Sequence, residues 1–265
     1  MVRFISLSSG SCGNCYYLES GGKGILIDAG VSMRRIKQRL GQFGLTYDSF
    51  DAILITHDHL DHIRHLGSLC KKLQKPVYTT GIVHSALAVH TFTKDHIGPC
   101  RHIIDPGQVK EINGFRVQCF IVPHDATQTV GYAIETIEDG YKFVIMTDIG
   151  RMTDEAVEFA LEADTVVVES NYDIDMLMHG PYTHELKMRI IQGEGHLSND
   201  ACAAAVRRFL HPGLKNIFLC HLSENNNTRE LAYEATHEVL VQEGVADQVS
   251  LRCLPRQTPS DMFVL

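Results

Sequence analysis

No apolar run in these 265 residues approaches the roughly 20 residues that a membrane-crossing helix needs. No secretory leader is expected either. Met1-Val2-Arg3-Phe4-Ile5-Ser6-Leu7 is too short an apolar stretch, shows no cleavage site, and reads as a first strand. The expectation is a cytoplasmic protein without membrane contact. One C-x-x-C is present, Cys12 to Cys15, but no second to complete a structural zinc site. It sits in a Ser/Gly-rich turn and reads as small residues in a tight loop. The eight cysteines are scattered and read as mostly buried, reduced thiols. Basic charge is scarce: 24 Lys and Arg face 32 Asp and Glu, for a net charge of -8. That excludes a broad basic surface, so any nucleic-acid contact must be focal. Linkers, low-complexity segments and strong repeats are missing, and one domain over residues 1–265 is expected, with ample core.

What the chain does have is Thr56-His57-Asp58-His59-Leu60-Asp61-His62. Three histidines and two acidic residues crowd positions 57–62, directly after the buried-strand pattern Ala52-Ile53-Leu54-Ile55. Such a run offers metal ligands at a strand's carboxyl end, with His57 and His59 turned to one ion and Asp61 and His62 to another. The theme recurs: His124 ends Phe120-Ile121-Val122-Pro123, Asp148 ends Phe143-Val144-Ile145-Met146-Thr147, and His221 ends Ile217-Phe218-Leu219-Cys220. Alone, each would read as an ordinary surface, core or turn residue; the weight lies in the repetition. Gly24-Ile25-Leu26-Ile27-Asp28 is a further strand with an acidic end. Two similar halves emerge, each alternating short strands with helices. Helices are expected at 32–43, 63–73, 82–93, 154–163, 184–191 and 198–210. A last one, capped by Asn227, is expected to run to about residue 243. Asn113-Gly114 and Asp139-Gly140 mark hairpin turns.

This ordered set resembles the metallo-β-lactamase superfamily over nearly the whole chain. The resemblance implies an α/β fold, a four-layered αββα sandwich with the site at one edge between the sheets. It implies two divalent ions: one on His57, His59 and His124, the other on Asp61, His62 and His221, with Asp148 and a hydroxide bridging both. Asp28 would orient a ligand histidine from behind, with Asp58 and Thr56 as further supports. Two ions about 3.5–4 Å apart lower the pKa of a bound water toward about 7 and neutralise charge on substrate oxygens. That chemistry suits a phosphodiester, a thioester or a lactam alike. His59 argues against the flavodiiron branch, which carries Glu there. Asp148 argues against lactamases with a cysteine at the bridging position. Thioesterases of the glyoxalase II type keep all seven ligands and stay open.

The segment Gly193-Glu194-Gly195-His196-Leu197-Ser198-Asn199-Asp200 bears on the substrate. A histidine just before a helix start can bind a phosphate oxygen or protonate a leaving alkoxide, where free N–H groups favour an anion. Together with Ser6-Leu7-Ser8-Ser9-Gly10-Ser11-Cys12-Gly13-Asn14 and His221-Leu222-Ser223-x-x-Asn226, it resembles the YycJ (WalJ) group. That resemblance implies a cytoplasmic, metal-dependent 5′ to 3′ exonuclease on double-stranded DNA, a phosphodiesterase in which the bridging hydroxide attacks phosphorus. It implies zinc or manganese, and His/Asp donors also accept iron. Asp61 and His196 are the catalytic candidates; Lys187, Arg189, His196 and Ser198 are the candidate substrate contacts. Tyr16 and Tyr182 could stack on bases or simply pack. Arg34, Arg35, Lys37, Arg39, Arg207 and Arg208 read as solvated charge, and His65, His84, His90, His96, His102, His179, His211 and His237 as surface residues. The alternative, favoured by the acidic balance, is a small-molecule hydrolase, either a cyclic phosphodiesterase or a thioesterase.

Overall fold

A computed structural model describes residues 1–191 and 195–265. Gln192, Gly193 and Glu194, the last two part of the segment before His196, lie outside the described residues. The strands of the first sheet are β1 (Val2–Ser8), β2 (Cys15–Ser20), β3 (Lys23–Ile27), β4 (Ala52–Leu54), β5 (Val77–Thr79) and β6 (Arg101–Ile103). The second sheet holds β7 (Lys110–Ile112), β8 (Phe115–Val122), β9 (Thr129–Thr136), β10 (Lys142–Met146), β11 (Thr165–Glu169), β12 (Asn216–Cys220) and β13 (Ser250–Cys253); β14 (Phe263–Val264) returns to pair with β1. Each sheet is antiparallel through its first three or four strands and parallel beyond. This is the duplication glimpsed in the sequence.

Strand alternation builds the layers, because successive side chains point to opposite faces. Val166 and Val168 face the helices while Val167 faces the other sheet; Ile217 and Leu219 are set against Phe218 and Cys220 in the same way. Three cores result. One joins Phe4, Tyr16, Phe115, Tyr132, Phe143 and Phe218 between the two sheets. Another packs the first sheet under α1 (Met33–Gly41), with α2 (Leu60–Ile63), α3 (Leu66–Leu73) and α4 (Gly81–Val89). The third packs the second sheet under α5 (Asp154–Ala160), α8 (Asn199–Phe209) and α9 (Arg229–Gln242). Helix, sheet, sheet, helix is the expected αββα sandwich. The short α6 (Ile174–His179) and α7 (His184–Arg189) complete the α-helices of the described residues. No helix there is long and apolar enough to cross a membrane.

Several boundaries differ from expectation. The helix expected over 63–73 begins earlier and breaks, because the His65 amide donates to the Ala29 carbonyl at 3.0 Å. The break leaves α2 as a single turn carrying Asp61 and His62. The helix expected to residue 93 ends at Val89, and that expected to residue 163 ends at Ala160. Thr228, not Asn227, caps α9: its hydroxyl accepts the Leu231 N–H at 3.1 Å. Asn227 instead donates to the carbonyls of Ser170 and Asn171. Arg39 is not solvated but buried, donating to the carbonyls of Leu7 and Gln257. His84 is likewise buried, with Nε2 against the His102 carbonyl at 2.9 Å.

Candidate metal centre

The carboxyl ends of β3, β4, β8, β10, β11 and β12 meet at one edge of the sandwich. Three residues there leave their strands in the left-handed conformation: Asp28 (φ 62°), Asp148 (φ 57°) and His221 (φ 54°). Non-glycine residues seldom adopt it, and such strain collects at sites where a side chain must be re-aimed.

Of the ligand groups at this edge, two are built from the expected metal ligands. Suitable donor atoms of His57, His59 and His124 lie within 4.8 Å of one another, and so do those of Asp61, His62, Asp148 and His221. Asp148 sits between the groups: Oδ2 is 3.1 Å from His62 Nε2, and Oδ1 is 3.8 Å from His124 Nε2. The histidines are fixed from behind by oxygen acceptors. His62 Nδ1 donates to Asp28 Oδ2 at 2.8 Å, His124 Nδ1 to the Gly195 carbonyl at 2.6 Å, and His57 Nδ1 to Thr56 Oγ1 at 3.0 Å. His221 Nδ1 faces Glu169 Oε1 at 3.0 Å. An acceptor on Nδ1 keeps a proton there, so that Nε2 is the nitrogen turned toward the centre.

The donor set fits divalent metal. His57 Nε2 and His221 Nε2 are buried without a hydrogen-bond partner, an arrangement that costs free energy unless these nitrogens take another partner. Burial, helped by His62, holds the His57 imidazole well below its ordinary value, so that lone pair is free at neutral pH. Burial alone would lower His221 too, but Asp148, Asp61 and Glu169 overcome it and raise the imidazole to about 10. His62 is raised in the same way by Asp28, Asp61 and Asp148. Without metal, then, protons on His62 and His221 balance the buried carboxylates at pH 7. Metal needs both Nε2 lone pairs, so loading at pH 7 should expel protons and affinity should rise with pH. Calorimetric titration in two buffers of different ionisation heat measures the release; an identical heat in both would contradict it.

Thr56 Oγ1 lies 3.0 Å from Asp28 Oδ2 and ties that carboxylate to His57. Among the described residues Asp58 makes no hydrogen bond to a ligand ring; it accepts from Thr127 N and Oγ1, holding the loop after His124. Arg189 reaches the centre's rim and pairs with Asp125, whose Oδ1 is 3.4 Å from His124 Nε2. Lys187 does not face the centre: its ammonium donates to the carbonyls of Met178 and Gly180, each at 2.8 Å. Ser198 caps α8, accepting the Ala201 N–H at 3.1 Å. Tyr16 is buried in the core with its hydroxyl on Ser9, whereas Tyr182 lines a cavity of about 240 Å³ beside His196. A larger groove of about 650 Å³, around Arg229, Tyr233 and Arg252, includes none of the clustered ligands.

Sequence reasoning missed Glu169. It is fully buried, and its Oε1 takes both His196 Nδ1 at 2.8 Å and His221 Nδ1 at 3.0 Å. Its Oε2 accepts the N–H groups of Ile149 and Leu197 at 2.9 and 3.1 Å. The anion expected near the start of α8 is therefore in part the protein's own carboxylate. Burial would lower the His196 imidazole, but Glu169 outweighs it and raises it. The available signal was the same as for Asp148: a carboxylate ending a buried strand.

Two stacked sheets with this His/Asp cluster at their common edge are the framework of a metal-dependent hydrolase. A family model described as "Beta-lactamase superfamily domain" matches residues 23–221. The exodeoxyribonuclease WalJ of Streptococcus pneumoniae serotype 2 is 36% identical over 231 residues, 87% of this chain and 85% of that one. The exodeoxyribonuclease YycJ of Bacillus anthracis is 34% identical over 245 residues, 92% and 90%. Among solved structures, Zn(2+)-bound PqqB from Methylobacterium extorquens aligns with a TM-score of 0.72 at 18% identity, over 98% of this chain and all of that one. The chain belongs to the metallo-β-lactamase-fold superfamily, as a YycJ/WalJ-like member, and is an enzyme of its hydrolase class.

Proposed function

We propose that the chain is a two-metal phosphodiesterase, a 5′ to 3′ exonuclease on double-stranded DNA, acting as one domain over residues 1–265. The observation that carries this reading is two ligand groups meeting at Asp148, with the Glu169–His196 pair on their flank, in a chain about one-third identical to two exodeoxyribonucleases. His57, His59 and His124 would hold one ion and Asp61, His62 and His221 the other, with Asp148 shared. When bound, such a pair supplies a water of lowered pKa and neutralises charge on the phosphate oxygens. Zinc and manganese both suit these donors.

The chain's own residues do the rest. Asp28, Thr56 and Glu169 hold the ligand rings at fixed angles. Glu169 also fixes His196 through Nδ1, so that Nε2 is free to pass a proton to the leaving alkoxide. The cavity beside His196 receives the terminal nucleotide, with Arg189 at its rim for phosphate and Tyr182 in its wall for the base. DNA contact is confined to this rim because the chain as a whole is acidic.

A substrate panel tests the class. Duplex DNA with a 5′ phosphate, bis-p-nitrophenyl phosphate and a glutathione thioester are offered with zinc or manganese. Duplex degradation with little thioester hydrolysis is expected. Thioester turnover with intact DNA would place the chain among small-molecule hydrolases.

A further inference from the structure

The turn between β1 and β2 contains Ser9, Gly10, Ser11, Cys12, Gly13 and Asn14, a motif to which the chemistry above gives no task. Asn14 is fully buried. Its Oδ1 accepts the Gly10 N–H at 2.8 Å, which fixes the amide and directs Nδ2 to Asp61 Oδ2 at 3.0 Å and His62 Nε2 at 2.9 Å. Its backbone repeats the attachment: Asn14 N–H donates to the Asp61 carbonyl at 2.8 Å, and the Asn14 carbonyl accepts the Gly30 N–H at 3.0 Å. Gly30 is pressed into this junction so closely that a Cβ would stand 1.6 Å from the Asp61 carbonyl oxygen. At the other end of the turn, Ser9 Oγ accepts the His221 N–H at 2.9 Å, holding the backbone of a residue in the left-handed region. Ser9 Oγ and the Tyr16 hydroxyl also share a hydrogen bond of 2.9 Å, so the clasp is anchored in the core.

One short turn thus ties Asp61 and His62, which follow the first sheet, to His221, which ends a strand of the second. Among the described residues, none of its hydrogen bonds reaches His57, His59 or His124. We propose that Ser9 and Asn14 are positioning residues for the second ion alone: they set the orientation of Asp61 and the separation of His62 from His221. This rests on the two-ion reading above. Residues that hydrogen-bond to metal ligands typically contribute about 10- to 100-fold in metal affinity, and the turn concentrates that contribution on one of two adjacent sites.

The full chain, its Asn14→Ala variant and its Ser9→Ala variant are titrated with Mn2+. Calorimetry gives the two affinities, and electron paramagnetic resonance separates isolated from spin-coupled ions. In both variants the first ion should bind as in wild type and the second about 10- to 100-fold more weakly, with an isolated-ion spectrum where wild type shows a coupled pair. Unchanged binding of both ions would overturn the proposal, and so would equal weakening of both. Should Asn14→Ala fail to fold, Ser9→Ala, which removes a single hydroxyl, decides by the same criteria. A wild-type chain that takes up only one ion overturns the two-ion reading and the clasp with it. Two ions in wild type, and two bound with wild-type affinity in both variants, overturn the clasp alone.

Discussion

Asp148→Asn should abolish hydrolysis while leaving the fold in place. The substitution keeps the shape of the side chain, and Asn is among the few residues that tolerate the left-handed backbone found at this position. What it removes is the charge between the two ligand groups. Burial raises the cost of ionising Asp148, yet His221 and His62 hold its carboxyl well below the usual range. The carboxylate is therefore ionised in the metal-free chain and ready for cations. Turnover should fall by more than about 100-fold, beyond the upper range for residues that merely support a ligand, and metal content should fall with it. Elemental analysis beside a turnover assay checks both. A variant that keeps full metal and full activity would show that Asp148 is not shared between the ions.

His196→Ala should lower kcat by about 10²- to 10⁴-fold, the usual contribution of a positioned proton donor or acceptor, with metal content unchanged. The geometry leaves room for a rival role. Donor atoms of His196 also cluster with Asp148, Glu169 and His221, so proximity alone would allow it a ligand's role. Its Nδ1, however, is occupied by Glu169 at 2.8 Å and lies 3.7 Å from Asp148, while the side chain stays 27% exposed toward the cavity. That is the position of a group facing substrate. Glu169→Gln should reduce kcat in the same direction by removing the charge that orients His196. Loss of metal from His196→Ala would assign it to the metal instead.

The αββα fold was legible because ligands and strands coincide in this chain. Apolar runs such as Val166-Val167-Val168 and Ile217-Phe218-Leu219 are long enough to read as buried strands, and each ends in a charged or ring residue. β2 was not legible. Its sequence, Cys-Tyr-Tyr-Leu-Glu-Ser, shows no alternation because all six residues are buried, Glu19 among them through its ion pair with Arg3. The few-residue strands β6 and β14 gave no periodic signal. At the centre, histidines announce themselves and neutral or common residues do not. Glu169 carries the same strand-end signal as Asp148, but as a common residue it stands out only once β11 is known to end inside the cluster. Asn14 and Ser9 looked like turn residues, which they are; their second task exists only because the turn closes against α2 and β12. Lys187 and Ser198 lie near His196 in sequence, but helix geometry commits both to backbone groups.

The most direct measurement follows the first product released from duplex DNA labelled at its 5′ phosphate, with metal-loaded enzyme in manganese or zinc. A labelled mononucleotide is expected from the earliest times, and none from Asp148→Asn. Label that first appears in long fragments, or an intact duplex beside rapid hydrolysis of a small phosphodiester or thioester, would contradict it.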